Sequence, residues 1–285
     1  MITKTKKVSD MFLSPSSINY FNQCQKKFWY RYFAKLPELP SIHLVKGIAI
    51  HSSLEKLFDK KSINTKNYKK EMNDNVIKEF RRKMIFTGLN MPIEEQEKHM
   101  KDGEHILSVF VNKISEQIEG LLINEKANSP THAFHLLKPK FRELKLDDKE
   151  LKVRGIVDTV QTDFDGNVVI VDYKTSNKYK NTISNDYILQ LAIYAYLYKL
   201  KEKVIPAWLC INYLRFGESF YVKGTQDLVD MAIEEITKVR KFIIKYSNET
   251  DYIKNESKLC EYCSYYKECK EEVKDTNGKQ LRLSI

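Results

Sequence analysis

Apolar and polar positions along this chain change period several times, and each change marks an element. The segment SPSSINYFNQCQKKFWYRY reads as an amino-terminal helix over roughly 14–35, with Ser14 as N-cap and Pro15 at the first helical position. A linker containing Pro37 and Pro40 leads to a second helix, about 47–60, where Leu54, Leu57 and Phe58 recur at helical spacing and set His51 on or beside the buried face. A polar helical insertion follows over about 61–128, clearest in HILSVFVNKISEQIEGLL. The period then drops to two, predicting strands near 139–146, 150–161 and 167–174. A helix over YILQLAIYAYLYKL, strands near 206–215 and 219–223, and a helix over about 226–246 complete the pattern. The expectation is an α/β fold, a mixed central sheet flanked by helices, in a single domain over 1–285.

Chemistry concentrates between Gly155 and Lys174. In GIVDTV the strand carries Asp158; Asp165-Gly166 is a hairpin turn signal; the next strand reads VVIVDYKTS. Val168, Ile170, Asp172 and Lys174 share one parity, so Asp172 and Lys174 leave the same face. Val169 and Val171 make the other parity apolar too, which marks a central buried strand. A carboxylate and an ammonium at its end are costly without a metal, a partner or water. Asp158 and Asp172 on adjacent antiparallel strands can reach one divalent cation, and oxygen ligands suit magnesium or manganese. A lone D-x-K recurs by chance, so the company it keeps decides. His51 offers a neutral imidazole, and Gln190 and Tyr194 stand four apart on one side of a helix. Glu143 is a further acid on the first strand, whose parity and partners the pattern leaves open.

Taken in order, G-x3-H, G-x2-D, D-x-K and Q-x3-Y resemble the RecB-like branch of the PD-(D/E)XK nuclease superfamily, whose minimal core is helix, three strands, helix, strand. The resemblance covers most of the chain. It implies His51, Asp158 and Asp172 as metal ligands, Lys174 as the catalytic lysine, and Gln190 with Tyr194 as active-site or DNA-positioning residues. Val157 stands where the superfamily name has proline, and Asp172 where glutamate is an alternative. Both departures are commonplace in that branch.

Five cysteines in 285 residues are too few for a disulfide scaffold, and MITKTKKVSDMF lacks the apolar run of a secretory signal, so a reducing cytoplasm is expected. Cys260, Cys263 and Cys269 form C-x2-C-x5-C, with Cys24 the best candidate for a fourth ligand, whereas Cys210 in AWLCINYL reads as a buried thiol. A site joining Cys24 to a tail over about 250–285 would tie the chain ends together. Thiolate spacing leaves zinc and iron–sulfur open. The resemblance implies a [4Fe–4S] cluster, as in AddB-type, CRISPR-associated RecB-like and exonuclease V-like nucleases.

A net charge of +10 favours a polyanionic partner, though lysines in NYKKEMNDNVIKEFRRK read as a solvated helix face. Lys178 and Lys180 are better placed to meet a phosphate backbone. No stretch is long enough to span a bilayer. No G-x4-G-K-[ST] loop is present, so a helicase motor would come from another protein. The resemblance therefore implies a magnesium- or manganese-dependent DNA exonuclease acting on single-stranded DNA or DNA ends, in repair and recombination or in CRISPR spacer processing. A helicase or a CRISPR adaptation protein is the expected partner. The competing reading is an inactive or zinc-stapled DNA-binding module.

Overall fold

The computed structural model describes residues 10–38, 41–86, 89–177 and 182–270; Pro40, Lys178 and Lys180 lie outside them, as does the end of the cysteine tail. In chain order the elements are α1 (Pro15–Gln23), α2 (Gln25–Tyr32), α3 (Ile42–Leu57), α4 (Tyr68–Lys83), α5 (Ile93–Ile123) and α6 (Pro130–Leu136). There follow β1 (Phe141–Asp148), β2 (Val153–Thr162), β3 (Val168–Lys174), α7 (Asn185–Glu202), β4 (Trp208–Tyr213), β5 (Glu218–Lys223), α8 (Gln226–Lys245) and α9 (Tyr266–Lys270). The described chain divides into two compact units, one from the described parts of 1–39, 148–154 and 233–285, the other from those of 40–147 and 155–232.

The larger unit is built on a five-stranded mixed sheet of order β1-β2-β3-β4-β5. β2 and β3 form the expected hairpin, with Thr159 opposite Val171 and Thr162 opposite Val168. Gly166 takes the turn at φ 82°, a left-handed backbone open to glycine at no steric cost, while the Asp163 carboxylate accepts the amides of Asp165 and Asn167. β3 then runs parallel to β4, a connection that needs a crossover, and α7 supplies it. β3 is the central strand and helices cover both of its faces, so both parities are buried, as its double apolar pattern requires.

Helices cover both sheet faces. Val169, Val171 and Tyr173 face a core shared with α3, α4, α5 and α6, where Phe58, Phe80, Phe110 and Phe134 pack together. The opposite face, with Asp172, receives α7, whose Gln190 bonds to that carboxylate. The predicted helical insertion contains α4 and α5. On α4 only the stripe Met72, Val76 and Phe80 is buried, so its charged remainder is a solvated face. α5 has 31 residues and is about 46 Å long, long enough to carry Asp102 near one end and Phe110 beneath the sheet.

In the smaller unit Ser14 caps α1, accepting from the Ser17 amide at 3.2 Å, and Pro15 opens the helix as expected. The single helix expected over 14–35 is instead two, because Cys24 is extended at φ −164° and ψ 113°. The carboxy-terminal segment takes the backbone bonds that a continuous helix would use. Asn255 Nδ2 donates to the Gln23 carbonyl at 2.8 Å, and the Lys26 amide donates to Ile253 O at 3.2 Å. Leu13 bridges Val153, and Arg240 closes this region by donating to the carbonyls of Met11, Leu151 and Lys152.

Candidate active site

Four elements of the larger unit bring the expected side chains to one place. α3 carries His51, β2 carries Asp158, the end of β3 carries Asp172 and Lys174, and α7 carries Gln190 and Tyr194. The ladder between β2 and β3 runs from Thr162 opposite Val168 to Thr159 opposite Val171, which leaves Asp158 just beyond the last pair, beside the end of β3. His51 Nδ1 lies 3.2 Å from Asp158 Oδ1, and the Tyr173 amide donates to Asp158 Oδ2 at 2.7 Å. The second oxygen is therefore held by the backbone while the first looks toward the imidazole.

Asp172 is almost fully buried. Its Oδ1 accepts from Gln190 Nε2 at 2.8 Å, and its Oδ2 stands 2.6 Å from Lys174 Nζ. That second contact is a charge contact, for Oδ2 receives no well-directed hydrogen bond. Gln190 ties the group together, accepting from Lys174 Nζ at 2.7 Å through Oε1 and donating to the Tyr194 hydroxyl at 2.9 Å. The Tyr187 ring lies 4.4 Å from the lysine nitrogen and gives the ammonium an aromatic face.

Charge states follow from burial and neighbours. Burial disfavours a charged Lys174, but Asp172 outweighs it and holds the lysine pKa above its usual value. Burial raises Asp172, with Lys174 opposing. His51 is likewise disfavoured as a cation by burial, yet Asp158, Asp172 and Glu143 bring its pKa above the ordinary histidine value. Tyr194 is driven well upward by burial and stays a neutral phenol.

Glu143 is the residue the sequence pattern left open. It is a non-glycine residue at φ 47° within β1, a conformation that L side chains adopt at a cost. Its carboxylate, His51 and Asp158 offer ligand atoms that all lie within 4.8 Å of one another. Burial and Asp158 raise the Glu143 pKa, as expected for acids crowded without a cation. One imidazole nitrogen and several carboxylate oxygens are a donor set that magnesium or manganese accepts; Asp172 stands beside this trio and not within it, its Oδ2 against Lys174 Nζ.

A family match decides what this constellation belongs to. The sequence model of the PD-(D/E)XK nuclease superfamily matches residues 12–270. The chain belongs to that superfamily. Membership implies a metal-dependent nuclease, and a nuclease binds DNA. Among solved structures, a "Putative exonuclease" from Eubacterium rectale is 13% identical, with 100% of this chain and 96% of that chain covered and a TM-score of 0.47. SSO0001 is also 13% identical, with 78% and 94% covered and a TM-score of 0.30. No curated protein matches the sequence. Among the described residues of this superfamily member, no helix is long and apolar enough to cross a membrane.

Apart from that site, Cys24, Cys260, Cys263 and Cys269 line one small cavity of the smaller unit together with Tyr30 and Tyr265. The Ser257 amide points at Cys260 Sγ at 3.4 Å. Cys210 lies in the larger unit at 1% exposure, where burial pushes its thiol up to about 12, an unreactive packing residue.

Proposed function

We propose that this chain is a magnesium- or manganese-dependent deoxyribonuclease, an exonuclease acting on single-stranded DNA or DNA ends. His51, Asp158 and Asp172 are its metal ligands, joined by Glu143. Lys174 is the catalytic lysine, and Gln190 and Tyr194 are the residues that position it. The observation that carries this reading is the approach of His51, Glu143 and Asp158 to within 4.8 Å of one another, beside a buried Asp172 whose Lys174 partner stands 2.6 Å away. The ion would supply positive charge to the scissile phosphate and acidify water. Lys174, kept protonated by Asp172 and oriented by Gln190, offers a fixed cation for charge that develops on the phosphate.

In the same reading Cys24, Cys260, Cys263 and Cys269 hold a [4Fe–4S] cluster. Among the described residues no three of these sulfurs fall within 4.8 Å of one another. The four thiols nonetheless line one cavity, and the resemblance to the iron–sulfur branch, not the thiol spacing, selects the cluster over zinc. Residues 1–285 then form one RecB-like nuclease domain, with a helical insertion at about 61–128 and a cysteine tail at about 250–285 that pairs with Cys24. The pathway is DNA repair and recombination or CRISPR spacer processing, in the cytoplasm, beside a helicase or an adaptation protein.

Digestion of end-labelled single-stranded and duplex DNA tests the proposal. Cleavage is expected with magnesium or manganese and not with chelator, and calcium should fail where tight octahedral geometry is needed. Full cleavage in chelator overturns it.

A further inference from the structure

The sheet face turned away from Asp172 and Lys174 holds a half-open cavity of about 640 Å³, in the size range of small-molecule sites. Its floor follows from strand parity. Val169, Val171 and Tyr173 of β3 lie beside Trp208, Cys210 and Asn212 of β4, and Cys210 lies beside Tyr221 of β5. α5 supplies one wall through Phe110, Lys113 and Ile114. Val169, Val171 and Tyr173 have the opposite parity to Asp172 and Lys174, so the sheet stands between this cavity and that pair. Tyr173 touches both, with its amide on Asp158 and its side chain in the cavity.

Three features select a ligand. First, the rim carries aromatic rings that the fold leaves in solvent: Trp208 at 40%, Tyr221 at 58% and Phe164 at 65% exposure. Second, the half-buried carboxamides of Asn212 and Gln161 face the cavity, and no described residue forms a side-chain hydrogen bond with either. Each is an unspent donor and acceptor pair, the chemistry that reads the edge of a base. Third, the rim charge is mostly positive. Lys113, whose exposed pair with Glu116 at 3.1 Å is open to exchange, and Lys138, which donates to the Lys60 carbonyl, line the cavity, and Lys126 Nζ stands 4.8 Å from the Phe164 ring, while the carboxylate of Asp163 is turned into its own loop by the amides of Asp165 and Asn167.

From this combination we infer a second nucleotide-binding site on the back of the sheet, taking a nucleobase between Trp208 and Tyr221, with its edge on Asn212 and Gln161 and its phosphate at Lys113. A stacked base with an attached phosphate could come from a free nucleoside monophosphate or from an unpaired DNA strand. The choice of nucleotide rests on the nuclease reading; the cavity does not.

The chain has two tryptophans, Trp29 and Trp208, which makes emission a direct probe. Full-length protein in chelator, so that no strand is cut, is titrated with thymidine monophosphate and, separately, with a short thymidine oligonucleotide. Saturable quenching is expected and should vanish in Trp208→Phe, while calorimetry should find binding weakened about tenfold in Asn212→Ala. Quenching by the mononucleotide assigns a free nucleotide, and quenching by the oligonucleotide alone assigns a strand. Quenching that persists in Trp208→Phe, or no binding of either ligand, overturns the inference. Cleavage with magnesium by the same preparations tests the nuclease reading separately. Its absence with quenching intact would sink that reading and leave this site standing.

Discussion

Gly155 and Tyr194 are complementary: a Cβ placed on Gly155 would sit 2.9 Å from Tyr194 Cε1. The missing side chain on β2 is the space through which the ring of α7 passes to put its hydroxyl beneath Gln190. Gly155→Ala should therefore displace Tyr194 and loosen Gln190, with overpacking costing about 1–3 kcal/mol. Kinetics should show kcat falling more than KM rises. Tyr194→Phe, which keeps the ring and removes the hydroxyl, should lower kcat with little loss of stability; unchanged kcat in both variants would remove Tyr194 from the site.

Lys174→Ala and Asp172→Ala should each reduce DNA cleavage on the order of a hundredfold or more, since the fixed charges act on the reaction. Circular dichroism should report a folded protein in both. A wild-type rate in either would sink the assignment of the β3 pair.

Glu143→Gln keeps size and shape and removes one negative charge from the trio with His51 and Asp158. Titration of manganese by calorimetry should give binding weaker on the order of tenfold. Equal affinity would mean that the carboxylate on β1 takes no part in holding the ion.

Asp102 on α5 accepts from both terminal nitrogens of Arg215, at 2.6 and 2.7 Å, and pairs with the buried ammonium of Lys46 on α3. These donors, Arg215 foremost, hold its pKa well below the ordinary carboxylate value. A depressed pKa contributes stability that is full above the unfolded-state value, about 4, and disappears as pH falls toward the folded-state value. Asp102→Asn should cost about 2–4 kcal/mol at pH near 7 in urea unfolding. Below pH of about 4 the two proteins should converge; a gap that is the same at both pH values would contradict this account.

Protein purified without oxygen should be brown, with about four irons per chain, and Cys24→Ala should bleach it as fully as Cys260→Ala. Cys210→Ala should leave the colour unchanged, because that thiol is packed inside the other unit. Colourless anaerobic protein with one zinc would replace the cluster by a zinc staple.

Much of this molecule was legible because local pattern and tertiary environment agree. The two-sided apolar run Val168–Lys174, the Asp165-Gly166 turn and the Ser14-Pro15 cap each report conditions set within a few residues, and the hairpin and helix start follow. The same parity rule put Asp172 and Lys174 together, and four-residue spacing put Gln190 with Tyr194. The break at Cys24 was not legible: no proline or glycine marks it, and its cause is a segment more than two hundred residues away that takes the bonds at Gln23 and Lys26. Glu143 was hidden for a related reason. Its left-handed backbone occurs without the usual glycine signal, and its neighbours His51 and Asp158 come from α3 and β2. Short-range periodicity is enough to specify elements and the groups within them. Where α3, β1 and β2 bring one group each to a common point, the meeting is an outcome of packing that no single stretch of chain encodes.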